Sequence, residues 1–516
     1  MGWTSYGPRP AAASYRSALT VEATTAGAPT TDGHIDDRLH LSDVGKLARR
    51  ARRKVVGAAR ADDQPSFASM LSEHLGGRAE GLDVVEETWP TYDQVNVQAG
   101  LDAWLAEPGR EHRLVGVVNF RHRDFDLSDL LRASPLGMPP GYGPSPGNVS
   151  RVNQASGPDG QVIACVQAGV YLVGEGDEAL AMLLRAPDPD RGMGAVQLQI
   201  VAPRPELATR AAEQIRRLSL ERNVYRGQVV SFGGDMFGER RAALRFHHRP
   251  SMTEHDLILP EHVLATIDRQ VVGVAEHRDA LLGARQHLKR GLLLYGPPGV
   301  GKTHTVRYLM SRLTDTTIVL LSGDALGLIG QACSVARSLQ PAMIVVEDVD
   351  LIAEDRGMHP GRHPLLFSLL NEMDGLAEEA DVVFLLTTNR ADLLEPALAS
   401  RPGRVDQAVE LLHPDTEARR RLFALYRCEL VVDESRLDSV IERTAGVTAS
   451  FLKELLRRSA VLAASEGGPE LRVSADHLDA ALDELLDTRN AMTRVLLGGQ
   501  PAFDPSSSRV PPAAET

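Results

Sequence analysis

The stretch "GLLLYGPPGVGKTH", residues 291–304, decides the fold. It opens as an apolar strand, breaks into a Gly-rich turn and enters a helix-forming run, "THTVRYLMSRL" (303–313). Gly296, Gly299 and Gly301 with Lys302 and Thr303 satisfy the spacing G-x-x-x-x-G-K-[ST] of a phosphate loop. The glycines let the backbone curl so that successive N–H groups point at phosphate oxygens, beside a helix N-terminus. The cradle Gly296, Pro297, Pro298, Gly299, Val300, Gly301, Lys302, Thr303 and His304 is therefore predicted to hold the phosphates of ATP. Lys302 would reach the β- and γ-phosphates, and the Thr303 hydroxyl would bind Mg²⁺. Only five of the 56 basic residues are lysines. A lysine kept here gains weight, because a guanidinium cannot replace an ammonium at a tight site.

The stretch "AMIVVEDVDLIAEDR" (342–356) carries the second half of the chemistry. Met343 to Val346 form an apolar run that fits a strand buried on both faces, and Glu347, Asp348 and Asp350 follow at once. Acids crowded at a strand end repel one another unless a divalent cation offsets the repulsion. The 45-residue separation from Lys302 leaves room for one helix-strand-helix crossover, so this strand can lie near the phosphate loop. One acid would then face the magnesium and its neighbour would polarise the attacking water.

Around these motifs the chain divides by composition. Residues 1–40 and 491–516 lack periodicity and are expected to be disordered, and "KLARRARRKVVGAAR" from Lys46 reads as a basic helix with a solvated face. Residues 41–250 alternate strand-like runs (113–120, 161–173, 194–203 and 228–234) with the amphipathic "PELATRAAEQIRRLSLERNVY", which predicts an N-terminal α/β domain. Residues 136–160, crowded with Gly and Pro, are expected to form a long loop. Residues 251–412 alternate strand and helix as a parallel sheet covered on both faces does, and 413–490 reads almost entirely as helix. No apolar run approaches the roughly 18–20 residues that span a bilayer. Three widely spaced cysteines suit a reducing cytoplasm, and the net charge of −13 argues against nucleic acid as a general partner.

From about residue 257 to 486 the chain resembles the AAA family of ATPases. The carriers are the phosphate loop, "MIVVED", "LNEMDGL" (370–376), "FLLTTNRADLLEPALASRPGRVD" (384–406) and "TAGVTASFLKELLRRSA" (444–460). The resemblance implies a P-loop NTPase sheet with a small all-helical lid, preceded by a separate N-terminal α/β domain that would select the client. It implies that Asn389 is the sensor that positions the hydrolytic water. It also implies that Arg401 and Arg404 are arginine fingers reaching a neighbouring subunit, and that Ala449 and Ser450 lie near the adenine. Glu347-Asp348 inverts the family's usual Asp-Glu order, as in the mitochondrial inner-membrane translocase branch; Glu347 would then take the metal and Asp348 the water. Leu328-Ile329-Gly330 is the best match to a central-pore loop, and it lacks the family's aromatic residue. The expected protein is a cytoplasmic, chaperone-like ring ATPase, a homo-hexamer that remodels a protein client. No H-E-x-x-H zinc motif is present, so a protease would be a separate partner. Two alternatives are a slow nucleotide-dependent scaffold that threads nothing and a nucleic-acid-directed ATPase.

Overall fold

The computed structural model describes residues 66–77, 79–120, 125–132, 144–188, 194–233, 243–350, 364–391, 405–467 and 471–487. The expectations for residues 1–40 and 491–516, the basic helix near Lys46, and Arg401 and Arg404 all lie outside them. Among the described residues no helix is long and apolar enough to cross a membrane.

Seven strands, β1 (Val84–Pro90), β2 (Arg110–Val118), β3 (Ser145–Gly147), β4 (Ser150–Ala155), β5 (Val162–Glu175), β6 (Glu178–Arg185) and β7 (Ala195–Val201), make a first sheet. Its order is β1-β7-β6-β5-β2-β3 with β4 also on β5, and every pairing is antiparallel. Helices cover both faces, so β5 is apolar on both sides rather than alternating. Its Tyr171 and Val173 enter a core with Leu207, Ala211 and Ile215 of the helix Pro205–Glu221. Its Val170 and Leu172 enter a second core with Leu71 and Leu127. Pro205 at the start of that helix fixes φ where no N–H partner is needed. The long loop expected over 136–160 is corrected, since β3 and β4 form there despite the Gly and Pro content. The one proline within them, Pro146, lies in β3 at the edge of the sheet, where a missing N–H costs little.

The second sheet holds the phosphate loop. Its strands are β8 (Val229–Gly233), β9 (Ala243–His247), β10 (Arg290–Tyr295), β11 (Thr317–Leu321), β12 (Ala342–Val346), β13 (Val382–Thr388) and β14 (Gln407–Glu410), in the order β14-β10-β13-β12-β11-β8-β9. All neighbours are parallel except β8 and β9. Every residue of β12 and β13 is buried, as a parallel sheet covered on both faces requires. In β12, Met343 and Val345 pack with Tyr308 and Leu309, while Ile344 and Val346 pack with Leu369 and Met373. Each such buried side chain contributes about 1.5–3 kcal/mol.

Two boundaries differ from expectation. β8, expected in the N-terminal domain, pairs with β11, so the nucleotide sheet recruits strands that precede residue 251. Tyr92, Val95 and Cys165 share one apolar core with Tyr225, Phe232, Leu244, Ile329 and Cys333, so the two sheets meet through a common core. The Tyr92 and Phe232 rings meet edge-on at 5.7 Å, and the Tyr225 hydroxyl donates to Tyr92 O at 2.6 Å. The second difference is in the lid. It packs the helices Thr416–Arg427, Leu437–Arg443, Ala449–Glu466 and Ala475–Leu486 around Phe423, Phe451 and Leu482, but a parallel pair, β15 (Val431–Val432) and β16 (Arg472–Val473), joins them. It is therefore not all-helical.

The expected pore loop also differs. Leu328 ends a 3₁₀ turn, and Ile329 starts the helix Ile329–Ser338 with only 2% of its surface exposed. Leu326, Ile329, Cys333 and Ala336 recur at helical spacing and face the shared core.

Candidate active site

The site forms at the carboxyl ends of β10, β12 and β13, where a parallel sheet leaves its strand ends and following loops open to ligand. β10 turns at Gly296, whose φ of 143° suits glycine and where a Cβ would lie 2.2 Å from Leu411 O. The loop ends at Gly301, left-handed at φ 113°, and the helix Lys302–Arg312 begins there. Its first N–H groups are free of intrahelical partners and carry the positive end of the helix dipole.

Lys302 is buried, and its Nζ donates to Gly296 O at 2.7 Å, Pro297 O at 2.9 Å and Asn389 Oδ1 at 2.8 Å. Burial lowers its pKa to about 8, against the opposing pull of Asp348 and Asp350. Asn389, just past β13, also donates from Nδ2 to Asp348 Oδ1 at 3.4 Å. The structure thus brings Lys302, Asn389 and Asp348, far apart in sequence, into one hydrogen-bonded line.

The two neighbouring acids have different surroundings. Glu347 is half-buried; burial raises its carboxyl above the ordinary value, while a hydrogen bond with the Thr303 side chain opposes that rise. Its Oε1 is buried and has no hydrogen-bond partner. An orphaned carboxylate oxygen beside a threonine hydroxyl fits a hard divalent cation. Among the described residues no group of three or more His, Cys, Asp or Glu forms a metal cage. Magnesium needs none, since phosphates and water complete its octahedron. Asp348 is exposed and adopts a left-handed φ of 51°, which breaks the strand alternation. Its N–H donates to Thr387 Oγ1 at 3.1 Å, and Val349 N to Thr387 O at 2.9 Å.

The lid closes the other side. Thr448 caps the helix Ala449–Glu466 by accepting from Phe451 N, and both Ser450 N and Ser450 Oγ donate to Gly299 O at 3.3 Å. A cavity of about 610 Å³ opens next to the loop, lined among others by Ile258, Val263, Val300, Leu411 and Ala449. Ser450 therefore touches the phosphate loop and Ala449 faces the cavity. His304 Nε2 donates to Asp256 O at 2.9 Å, tying the loop helix to the segment before it. The motifs alone gave no role to Thr387, Thr388, Thr448 or Asp350; the Thr-Thr pair before Asn389 and the third acid after β12 were the available signals.

A phosphate cradle between a parallel strand and a helix, with acids at a neighbouring strand end, defines a P-loop nucleotide-binding protein. Residues 292–412 match the family described as "ATPase family associated with various cellular activities (AAA)". The chain is 30% identical over 292 residues to the ATP-dependent zinc metalloprotease FtsH of Mycobacterium leprae, which covers 52% of this chain and 35% of that protein. It is 32% identical over 210 residues to the ATP-dependent zinc metalloprotease YME1L of Drosophila melanogaster, covering 39% of this chain and 28% of that protein. The chain thus spans about a third of the length of these relatives.

Proposed function

We propose that this chain hydrolyses ATP with Mg²⁺ and spends the energy on a protein client. The observation that carries the reading is the line Lys302–Asn389–Asp348 beside the orphaned oxygen of Glu347. Lys302 and the loop N–H groups hold the phosphates. Thr303 and Glu347 would hold Mg²⁺, which when bound neutralises phosphate charge. Asp348 accepts the proton of a water that attacks the γ-phosphorus as its bond to the β–γ bridging oxygen breaks and ADP leaves, and Asn389 orients that water. The cavity beside Val300 and Ala449 would take the base. Mg²⁺-dependent phosphate release by the full chain, absent in Lys302→Ala, tests this; no release by the folded wild type would overturn it.

For assembly we favour a homo-hexameric ring in a reducing cytoplasm, with Arg401 and Arg404 completing a neighbour's site. The relatives' printed names supply the client class, since both are ATP-dependent proteases. Mixing Arg401→Ala with Lys302→Ala subunits should restore some hydrolysis, because one supplies the loop and the other the finger. No rescue would count against the shared site. A second reading, a nucleotide-dependent scaffold that threads nothing, is favoured by one observation: Ile329 is packed in the core where a gripping tip would be exposed. Failure to unfold any tagged substrate during steady hydrolysis would select it.

A further inference from the structure

Asp350 is the third acid after β12 and has no part in the reaction as described above. Only 7% of its surface is exposed. A buried carboxylate is costly unless hydrogen bonds satisfy it. Its Oδ1 accepts from Thr388 Oγ1 at 2.9 Å and from Asn389 N at 3.3 Å. The Thr388 hydroxyl, fully buried, in turn accepts from Arg390 N at 2.9 Å. One carboxylate oxygen therefore pins the last turn of β13 on both sides of the Asn389 side chain. That side chain must span from Lys302 Nζ at 2.8 Å to Asp348 Oδ1 at 3.4 Å, so a small rotation of its backbone would break one of the two contacts.

We propose that Asp350 is a positioning residue that aims Asn389 between the phosphate-loop lysine and the water-activating acid. Resting on the ATPase reading, it acts through Thr388 and Asn389 and touches no substrate itself. Acceptance of hydrogen bonds is what the role requires. An amide at 350 can still offer one oxygen to both donors, whereas a methyl group cannot.

The test uses the full chain. Asp350→Ala should lower kcat about 10- to 100-fold, the scale of misplacing a reacting group by about 1 Å. KM for ATP and affinity for Mg²⁺-ADP should stay within about threefold, because the loop itself is untouched. Asp350→Asn should recover most of the kcat. The double variant Asp350→Ala/Asn389→Ala should be no slower than Asn389→Ala alone, since the two losses share one route. Without nucleotide, amide exchange over residues 384–391 should rise in Asp350→Ala and not in Asp350→Asn. Additive losses, equal falls in affinity and kcat, or no recovery with asparagine would overturn the proposal. Should Asp350→Ala not fold, Thr388→Val removes one donor and must lower kcat with KM unchanged. The exchange measurement separates the two claims. A wild type that hydrolyses nothing sinks the ATPase reading, while unchanged exchange in Asp350→Ala sinks the positioning role even if hydrolysis stands.

Discussion

In the antiparallel sheet, Gln98 Oε1 accepts from Val166 N at 2.9 Å and Gln94 Nε2 donates to Val166 O at 3.3 Å. Two buried side chains from the helix Gln94–Leu105 thus stand in for a strand where β5 runs past β6, whose last partner is Ala168. Gln199 does similar work, accepting from Leu127 N at 2.7 Å and donating to Glu86 at 3.0 Å. In the parallel sheet the polar residues lie past the strand ends instead: Lys302 beyond β10, Glu347 to Asp350 beyond β12, Asn389 beyond β13. There Glu347 Oε1 is left unpaired and Lys302 is held charged against burial. The first region uses polarity to complete its own backbone bonds; the second leaves one carboxylate oxygen, Glu347 Oε1, that a bound ligand can satisfy.

The largest effect should come from breaking that second pattern. Lys302→Ala removes the only ammonium from the loop and should abolish measurable ATP binding in calorimetry, with the fold retained by circular dichroism. A folded variant with unchanged affinity would erase the distinction between the two sheets. The matching change in the first sheet, Gln98→Ala, should leave nucleotide affinity alone and cost about 1–3 kcal/mol of stability for the unsatisfied Val166 N–H.

Next in size is the division of labour between the two acids. Asp348→Asn should retain ATP binding and slow hydrolysis by about 10²-fold or more, the scale of losing a positioned general base. Glu347→Gln should weaken binding together with its Mg²⁺ dependence, because it alters the side chain bonded to Thr303. Exchanged phenotypes would keep the site and reverse the roles.

A truncation sharpens the boundary between the regions. A chain starting at residue 251 lacks β8 and β9, exposing the β11 edge at Ile318 to Leu320, and lacks Tyr92 and Phe232 from the shared core. It should be insoluble or unfold well below the full chain in a thermal scan, whereas one starting at residue 64 should not. A stable, nucleotide-binding 251–490 fragment would show that the added strands are dispensable.

How much of this was legible follows from how local each signal is. The phosphate loop was legible because its glycines, lysine and threonine are contiguous and each answers to a backbone or charge requirement. The acids after β12 read as a candidate site only beside the phosphate loop, 45 residues away, because acids at a strand end also solvate well on their own. β8 reads as a strand, but "QVVSFGG" states its apolar character and not its partner, which is β11 of the nucleotide sheet. Asp350 reads as one more acid until Thr388 and Asn389, some forty positions later, fold back onto it. At Leu328-Ile329-Gly330 the family resemblance suggested an exposed loop, yet the spacing of Leu326, Ile329, Cys333 and Ala336 already spelled a helix with a buried face.

The smallest effect lies where the two sheets join. Asp93 accepts from Asn96 Nδ2 at 2.8 Å, and Asn96 Oδ1 accepts from Val224 N at 2.9 Å, linking the turn before the helix Gln94–Leu105 to the chain entering β8. Burial pushes the Asp93 carboxyl up to about 6, although the Asn96 bond and Arg216 pull it down. The sign follows from its ordinary value of 3.8. Above pH 6 the carboxylate is ionised in both states and its burial cost is fully present. That cost shrinks as pH falls from 6 and is gone below about 4, where both states are protonated. Asp93→Asn keeps an oxygen for Asn96 and removes the charge. It should therefore stabilise the protein by about 1–2 kcal/mol at pH 8, less than the full shift implies because the group is partly solvated. At pH 4 the variant and wild type should unfold at the same urea concentration. A variant less stable at pH 8 would mean that Arg216 holds the charge in place, and that this junction belongs with the ligand-ready polarity of the nucleotide sheet and not with the self-satisfied polarity of the first.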